Sequence, residues 1–170
     1  QQAQEYLQKN IDFNKDFVII TRNPFKRFIS AYTDKIGAGK DYNVWNNICF
    51  RYGLDINSTP SMEIILDCFL GDETQYIDNH FKPQYDLFSA SIISPAYVLR
   101  MERFDDIVRF FENRGYEFKT FDKHSTKSKC VLPTNLNQNV VSKICQLYKQ
   151  DFEHYSYSLD PHKVSSPPKA

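Results

Sequence analysis

Arg22, Ser30 and His80 are the residues of this chain whose types and surroundings best suit chemistry. Arg22 follows the apolar run Phe17-Val18-Ile19-Ile20-Thr21 and precedes Asn23-Pro24, which places it where a strand ends and a helix begins. Ligands bind at such junctions of open α/β sheets. Free N–H groups at a helix start, the helix dipole and a guanidinium together favour a phosphate there. Ser30 falls about two turns into the helix, on a face the arginine can share. Read singly, Arg22 pairs with a carboxylate and Ser30 bonds to its own backbone; their common register with the helix start favours an anion site.

His80 has the polar neighbours Asp78, Asn79 and Lys82, so it does not read as a core residue. An imidazole changes charge near neutral pH and can take the proton of an attacking hydroxyl. Equally, it can hydrogen-bond a substrate or brace its loop. Glu102, expected at the end of a second strand, is an alternative base, a group to orient His80, or a partner for a basic residue. Arg27 reads first as a solvated helix charge, with a place beside a bound anion as its functional alternative. The stretch 119–129 is dense in donors, among them Lys127 and Lys129, and suits phosphate contacts. His124, His154 and His162 have no metal-ligand spacing, and no metal is expected.

The elements that must position these residues follow from periodicity. Asn23 can cap a helix with Pro24 at its first position, and Phe25, Phe28, Ile29, Tyr32 and Ile36 fall on one face. The stretch 37–57 reads as a polar, aromatic-bearing crossing. Thr59 is expected to cap a helix with Pro60 first and Met62, Ile65, Leu66 and Phe69 inward. Residues 78–85 read as a loop, since Pro83 forbids regular continuation. A second strand is expected over 97–101, a helix over 105–114 closed by Gly115, and a long final helix capped by Asn137 with Val140, Val141, Ile144, Tyr148, Phe152 and Tyr155 inward. Strands alternating with helices imply a parallel sheet.

Composition narrows the classes. The 170 residues are one domain's worth, with 1–160 the domain and 161–170 a flexible tail. Lys+Arg and Asp+Glu are both 21, so no global field argues for nucleic acid or a membrane surface. No apolar run approaches the ~20 residues of a spanning helix. Cys49, Cys68, Cys130 and Cys145 lack zinc spacing, and Cys68 and Cys145 read as free thiols on apolar helix faces. The formal sequon Asn57-Ser58-Thr59 leaves the compartment open between a secretory and a cytoplasmic location.

Arg22-Asn23-Pro24-Phe25-Lys26-Arg27-Phe28-Ile29-Ser30-Ala31-Tyr32 resembles the Arg-Asp-Pro-x-x-Arg-x-x-Ser-x-Tyr segment of the carbohydrate sulfotransferases that use 3′-phosphoadenosine-5′-phosphosulfate (PAPS), with Asn23 for the usual Asp. Three further blocks follow in family order: Asp78-Asn79-His80-Phe81-Lys82-Pro83-Gln84-Tyr85, the Glu102 strand–helix unit, and Tyr148-Lys149-Gln150-Asp151-Phe152 with Tyr155 and Tyr157. The resemblance implies a P-loop-NTPase-like parallel sheet flanked by helices and sulfuryl transfer from PAPS to a carbohydrate hydroxyl. It also implies 3′-phosphate binding by Arg22 and Ser30, with help from Arg27, Lys127 and Lys129. His80, or failing it Glu102, would then be the base. No apolar strand here leads into a Lys-x-x-x-Thr loop, so the family's 5′-phosphosulfate loop and N-terminal part are expected to be missing, and with them much of the catalytic power. The alternative is a non-catalytic nucleotide- or glycan-binding member. A kinase or NTPase is disfavoured by the absence of G-x-x-x-x-G-K-[ST].

Overall fold

The computed structural model describes residues 17–37, 40–117 and 136–163. Two short strands, β1 (Val18–Thr21) and β2 (Tyr97–Arg100), pair in parallel from Val18↔Tyr97 to Thr21↔Arg100. Among the described residues they form one two-stranded sheet, flanked by helices. The fold is therefore mixed α/β, and both strands lie where the apolar runs predict them. Ile19 and Thr21 face inward while Ile20 faces out, the alternation that a pleated strand requires.

Helix α1 (Pro24–Lys35) begins as the sequence implies, with Pro24 first and the Asn23 side chain accepting the Lys26 N–H at 3.3 Å. Its apolar face is driven into the core: Phe25, Phe28 and Ile36 are fully buried and Ile29 nearly so. Phe28 packs edge-on against Phe81 and Tyr148, with ring centroids at 5.9 and 6.5 Å, and Phe25 meets Phe152 at 5.1 Å. Burial of such rings is the main favourable term that holds the helix to the strand junction. Replacing the cap should loosen only the first turn. Asn23→Ala is expected to cost about 1 kcal/mol of stability, read as a lower midpoint in urea unfolding.

Three expectations need correction. The stretch 37–57 is not a polar crossing: it holds helix α2 (Tyr42–Tyr52), capped by Asp41 and ended by Gly53 at φ +65°, with Val44, Trp45, Ile48 and Cys49 buried. Helix α3 (Met62–Leu70) starts after Pro60, and its cap is Ser61, not Thr59. The last long helix is two, α6 (Gln138–Leu147) and α7 (Lys149–His154), broken at Tyr148 with the inward stripe kept on both pieces. Between α3 and β2 lie a 3₁₀ turn (Thr74–Tyr76) and the short α4 (Gln84–Leu87); after β2 come a 3₁₀ turn (Met101–Arg103) and α5 (Phe104–Glu112).

Helix α6 lies along α3, where Lys143 bridges Asp67 at 2.7 Å and Glu63 at 3.5 Å. Cys49, Cys68 and Cys145 are free thiols; Cys130 lies outside the described residues. No helix among the described residues is long and apolar enough to cross a membrane.

Candidate active site

The register Thr21↔Arg100 brings Arg22-Asn23 and Glu102 to the same carboxyl edge of the sheet. There the backbone of β1's last turn is held by side chains from distant segments. The Arg22 N–H donates to Gln84 Oε1 and the Arg22 carbonyl accepts from Gln84 Nε2, both at 2.8 Å. The next N–H, of Asn23, donates to Glu102 Oε1 at 2.8 Å. Arg22 itself is half-buried, and among the described residues its guanidinium has no hydrogen-bond or salt-bridge partner. Ser30 is half-buried and equally uncommitted among them.

The expectation of a free helix start does not hold. Of the four amides that a helix leaves unsatisfied, Asn23 gives its N–H to Glu102, Pro24 has none, and Lys26 gives its N–H to the Asn23 side chain. Only the Phe25 N–H is left open among the described residues. The Glu102 carboxylate at this position also offsets the positive end of the helix dipole. An anion here must therefore be held by side chains, Arg22 first, rather than by a nest of backbone amides.

His80 sits on the turn between the Thr74–Tyr76 segment and α4. Its Nδ1 lies 2.7 Å from Asp78 Oδ1, and its own backbone N–H donates to the same oxygen at 2.9 Å. An ionised carboxylate only accepts, so it fixes the proton on Nδ1 and leaves Nε2 with a free lone pair. The imidazole is nearly half exposed, at 48%. Asp78, not Glu102, is thus the group that orients His80. The Asp-x-His spacing is a turn signal by itself, because an Asp side chain readily bonds the backbone two residues on.

The loop that carries His80 is fixed at three carbonyls, those of Asn79, Phe81 and Lys82. Arg27 donates through Nη1 to the Lys82 carbonyl at 2.6 Å and through Nη2 to the Asn79 carbonyl at 2.9 Å. The hydroxyl of buried Tyr148 donates to the intervening Phe81 carbonyl at 2.6 Å. Burial pushes the Tyr148 phenol far above its ordinary value, so it stays a donor. Phe81 is fully buried against Phe28 and Phe69. Arg27 is therefore not a solvated helix charge: both its Nη groups are engaged by the loop.

The loop ends on a buried carboxylate. Asp151 accepts the Gln84 N–H at 2.9 Å, the Tyr85 N–H at 2.7 Å and the Gln84 amide at 3.2 Å. Burial raises its pKa, while those bonds and the nearby Arg27 charge pull it back. Glu102 is occupied elsewhere, since besides Asn23 it receives the Tyr157 hydroxyl at 3.4 Å. That hydroxyl also meets Thr21 Oγ1 at 2.9 Å, which ties the chain's closing aromatic to the end of β1. Glu102 thus braces the junction. Lys127 and Lys129 lie outside the described residues. Among the described residues no group of three or more His, Cys, Asp or Glu is placed to hold a metal ion.

The strand–helix junction singles out Arg22 and Ser30, and polar surroundings single out His80, but neither shows the contacts that hold them, made by Gln84, Asp151, Tyr148, Asp78 and Arg27. Gln84 and Asp151 are signalled only by membership of the motif blocks, whereas Asp78 has its Asp-x-His turn spacing and Tyr148 its place in the inward stripe. The family model for the sulfotransferase family matches residues 1–158, and the chain belongs to that family. Comparisons with curated proteins and with solved structures return no match.

Proposed function

We propose that the protein moves a sulfuryl group from PAPS to a hydroxyl of a carbohydrate acceptor. The observation that carries this reading is the tethering of an oriented imidazole to an uncommitted arginine: one short loop bears the Asp78–His80 pair and ends at Gln84 on the Arg22 backbone. Two-substrate transfer needs such a fixed separation between the base and the nucleotide. A parallel strand pair with its ligand edge at Arg22 accords with a P-loop-type sheet, and membership of the sulfotransferase family supports the transfer chemistry.

The donor nucleotide supplies the sulfuryl group. Arg22 and Ser30 bind its 3′-phosphate, the first by a charge-assisted contact and the second by its hydroxyl. Lys127 and Lys129 are further cationic candidates for the phosphates. His80 Nε2 takes the acceptor's hydroxyl proton as the acceptor oxygen forms its bond to sulfur. The bond from sulfur to the 5′-phosphate oxygen breaks, leaving a sulfate ester and adenosine 3′,5′-bisphosphate. Asp78 holds the imidazole in the accepting tautomer and stabilises its protonated form.

The test is calorimetric titration of the full-length protein with adenosine 3′,5′-bisphosphate. Arg22→Ala should weaken binding by about 1.5–3 kcal/mol and Ser30→Ala by about 1 kcal/mol. Unchanged affinity in Arg22→Ala would remove the site.

A further inference from the structure

We infer that Gln84, held by Asp151, is a positioning residue that sets the orientation of Arg22 toward the nucleotide; the inference rests on the phosphate role proposed above for Arg22. Arg22 lies beyond the last paired residue of β1, where no strand partner fixes its peptide groups. Instead, one side-chain amide takes both its N–H and its C=O at 2.8 Å. Two bonds to the same residue fix its backbone dihedrals, and with them the direction in which the guanidinium leaves the chain.

An amide can hold a backbone in this way only if its own two ends are assigned. Gln84 is 3% exposed and Asp151 wholly buried. Asp151 Oδ2 lies 3.2 Å from Gln84 Nε2 and, as a carboxylate, can only accept. That contact places the NH₂ end beside Asp151 and the Arg22 carbonyl, and turns Oε1 toward the Arg22 N–H. The carboxylate is itself fixed by the Gln84 and Tyr85 amides at 2.9 and 2.7 Å. A flipped amide would set an oxygen against both Asp151 and the Arg22 carbonyl, so the arrangement has one stable sense.

Gln84 also closes the loop whose other carbonyls Arg27 and Tyr148 hold. Orientation of Arg22 and placement of His80 therefore share a single anchor. An arginine already oriented surrenders less conformational freedom when the anion arrives. A merely structural glutamine would alter stability and leave affinity of the folded protein alone.

Full-length protein carrying Gln84→Met, Arg22→Ala or both is titrated with adenosine 3′,5′-bisphosphate, with thermal unfolding recorded for each. Gln84→Met retains the side-chain volume and should weaken binding roughly tenfold, the scale of lost hydrogen bonds. In the Arg22→Ala background the same change should cause no further loss, because its effect acts through that arginine. Unchanged affinity in Gln84→Met, or equal losses in both backgrounds, overturns the inference and leaves the phosphate site standing. If Arg22→Ala alone leaves affinity unchanged, the phosphate reading falls and the inference falls with it. Should Gln84→Met not fold, Gln84→Asn is put through the same cycle: too short to span both Arg22 groups and Asp151, it is held to the same outcomes.

Discussion

Replacing His80 with alanine should lower kcat of the full-length enzyme by about 10²–10⁴, the usual contribution of a general base, and leave affinity for adenosine 3′,5′-bisphosphate nearly unchanged. The split follows from the geometry. His80 makes its only hydrogen bonds among the described residues to Asp78, and alanine removes just the ring contact: the backbone N–H of position 80 still donates to the same carboxylate oxygen, and the Arg27 and Tyr148 clamps on the loop stay in place. The Arg22 junction proposed to bind the nucleotide, whose backbone Gln84 holds, makes no hydrogen bond to His80 and should scarcely notice.

A second variant tests the same geometry from the side of Asp78. Asp78→Asn keeps the loop turn but can present a donor to Nδ1, which favours the wrong tautomer. Loss of kcat there, with nucleotide affinity intact, would mark Asp78 as the orienting group. If His80→Ala instead raises KM for the acceptor and spares kcat, the imidazole binds sugar and the base lies elsewhere. Glu102 is then a poor successor, because Asn23 and Tyr157 already engage both its oxygens.

Local signals make the strand–helix junction legible, and tertiary contacts hide its supports. The strand–Arg22–Asn23–Pro24–helix unit is written in neighbouring residues, through cap, proline and stripe, and it folds as read. Helix α2 carried comparable signals, Asp41 before it and Gly53 after it, with Val44, Trp45, Ile48 and Cys49 at helical spacing. Its many polar outward residues masked them. The break at Tyr148 had no periodic signature, since the apolar stripe runs through it; the structure turns there and sends the Tyr148 hydroxyl to Phe81. Gln84 and Asp151 were beyond any local reading. Their bonds join residues 62 and 67 positions apart, and nothing in a Pro-Gln dipeptide says which backbone its amide will grip. The helix N-terminus misled for the same reason: its amides look open in sequence until Glu102, 79 residues on, takes one.

Asp151→Ala should be the most destabilising polar substitution in this region, costing about 3–5 kcal/mol, enough to consume much of a typical domain's stability of about 5–15 kcal/mol. The carboxylate is wholly buried, and its loss takes the acceptor from three N–H donors: the Gln84 and Tyr85 backbone amides and one of the two Gln84 side-chain N–H groups, the other staying on the Arg22 carbonyl. Each orphaned buried donor costs on the order of 1–3 kcal/mol, against which stands relief from burying a charge. The pH dependence separates these opposing contributions. Because burial dominates, the folded-state pKa of Asp151 is raised above that of the unfolded chain. The folded protein then holds the proton more tightly, so this group's contribution to stability is fullest below the unfolded value and is lost as pH rises through the folded one. Denaturant unfolding of parent and variant should therefore show a gap that narrows from mildly acidic to neutral pH and then levels. A gap that widens over that range would mean that the amide bonds outweigh burial and that the pKa is lowered instead. A loss of less than about 1 kcal/mol at every pH would show that water reaches the three donors once the carboxylate is gone.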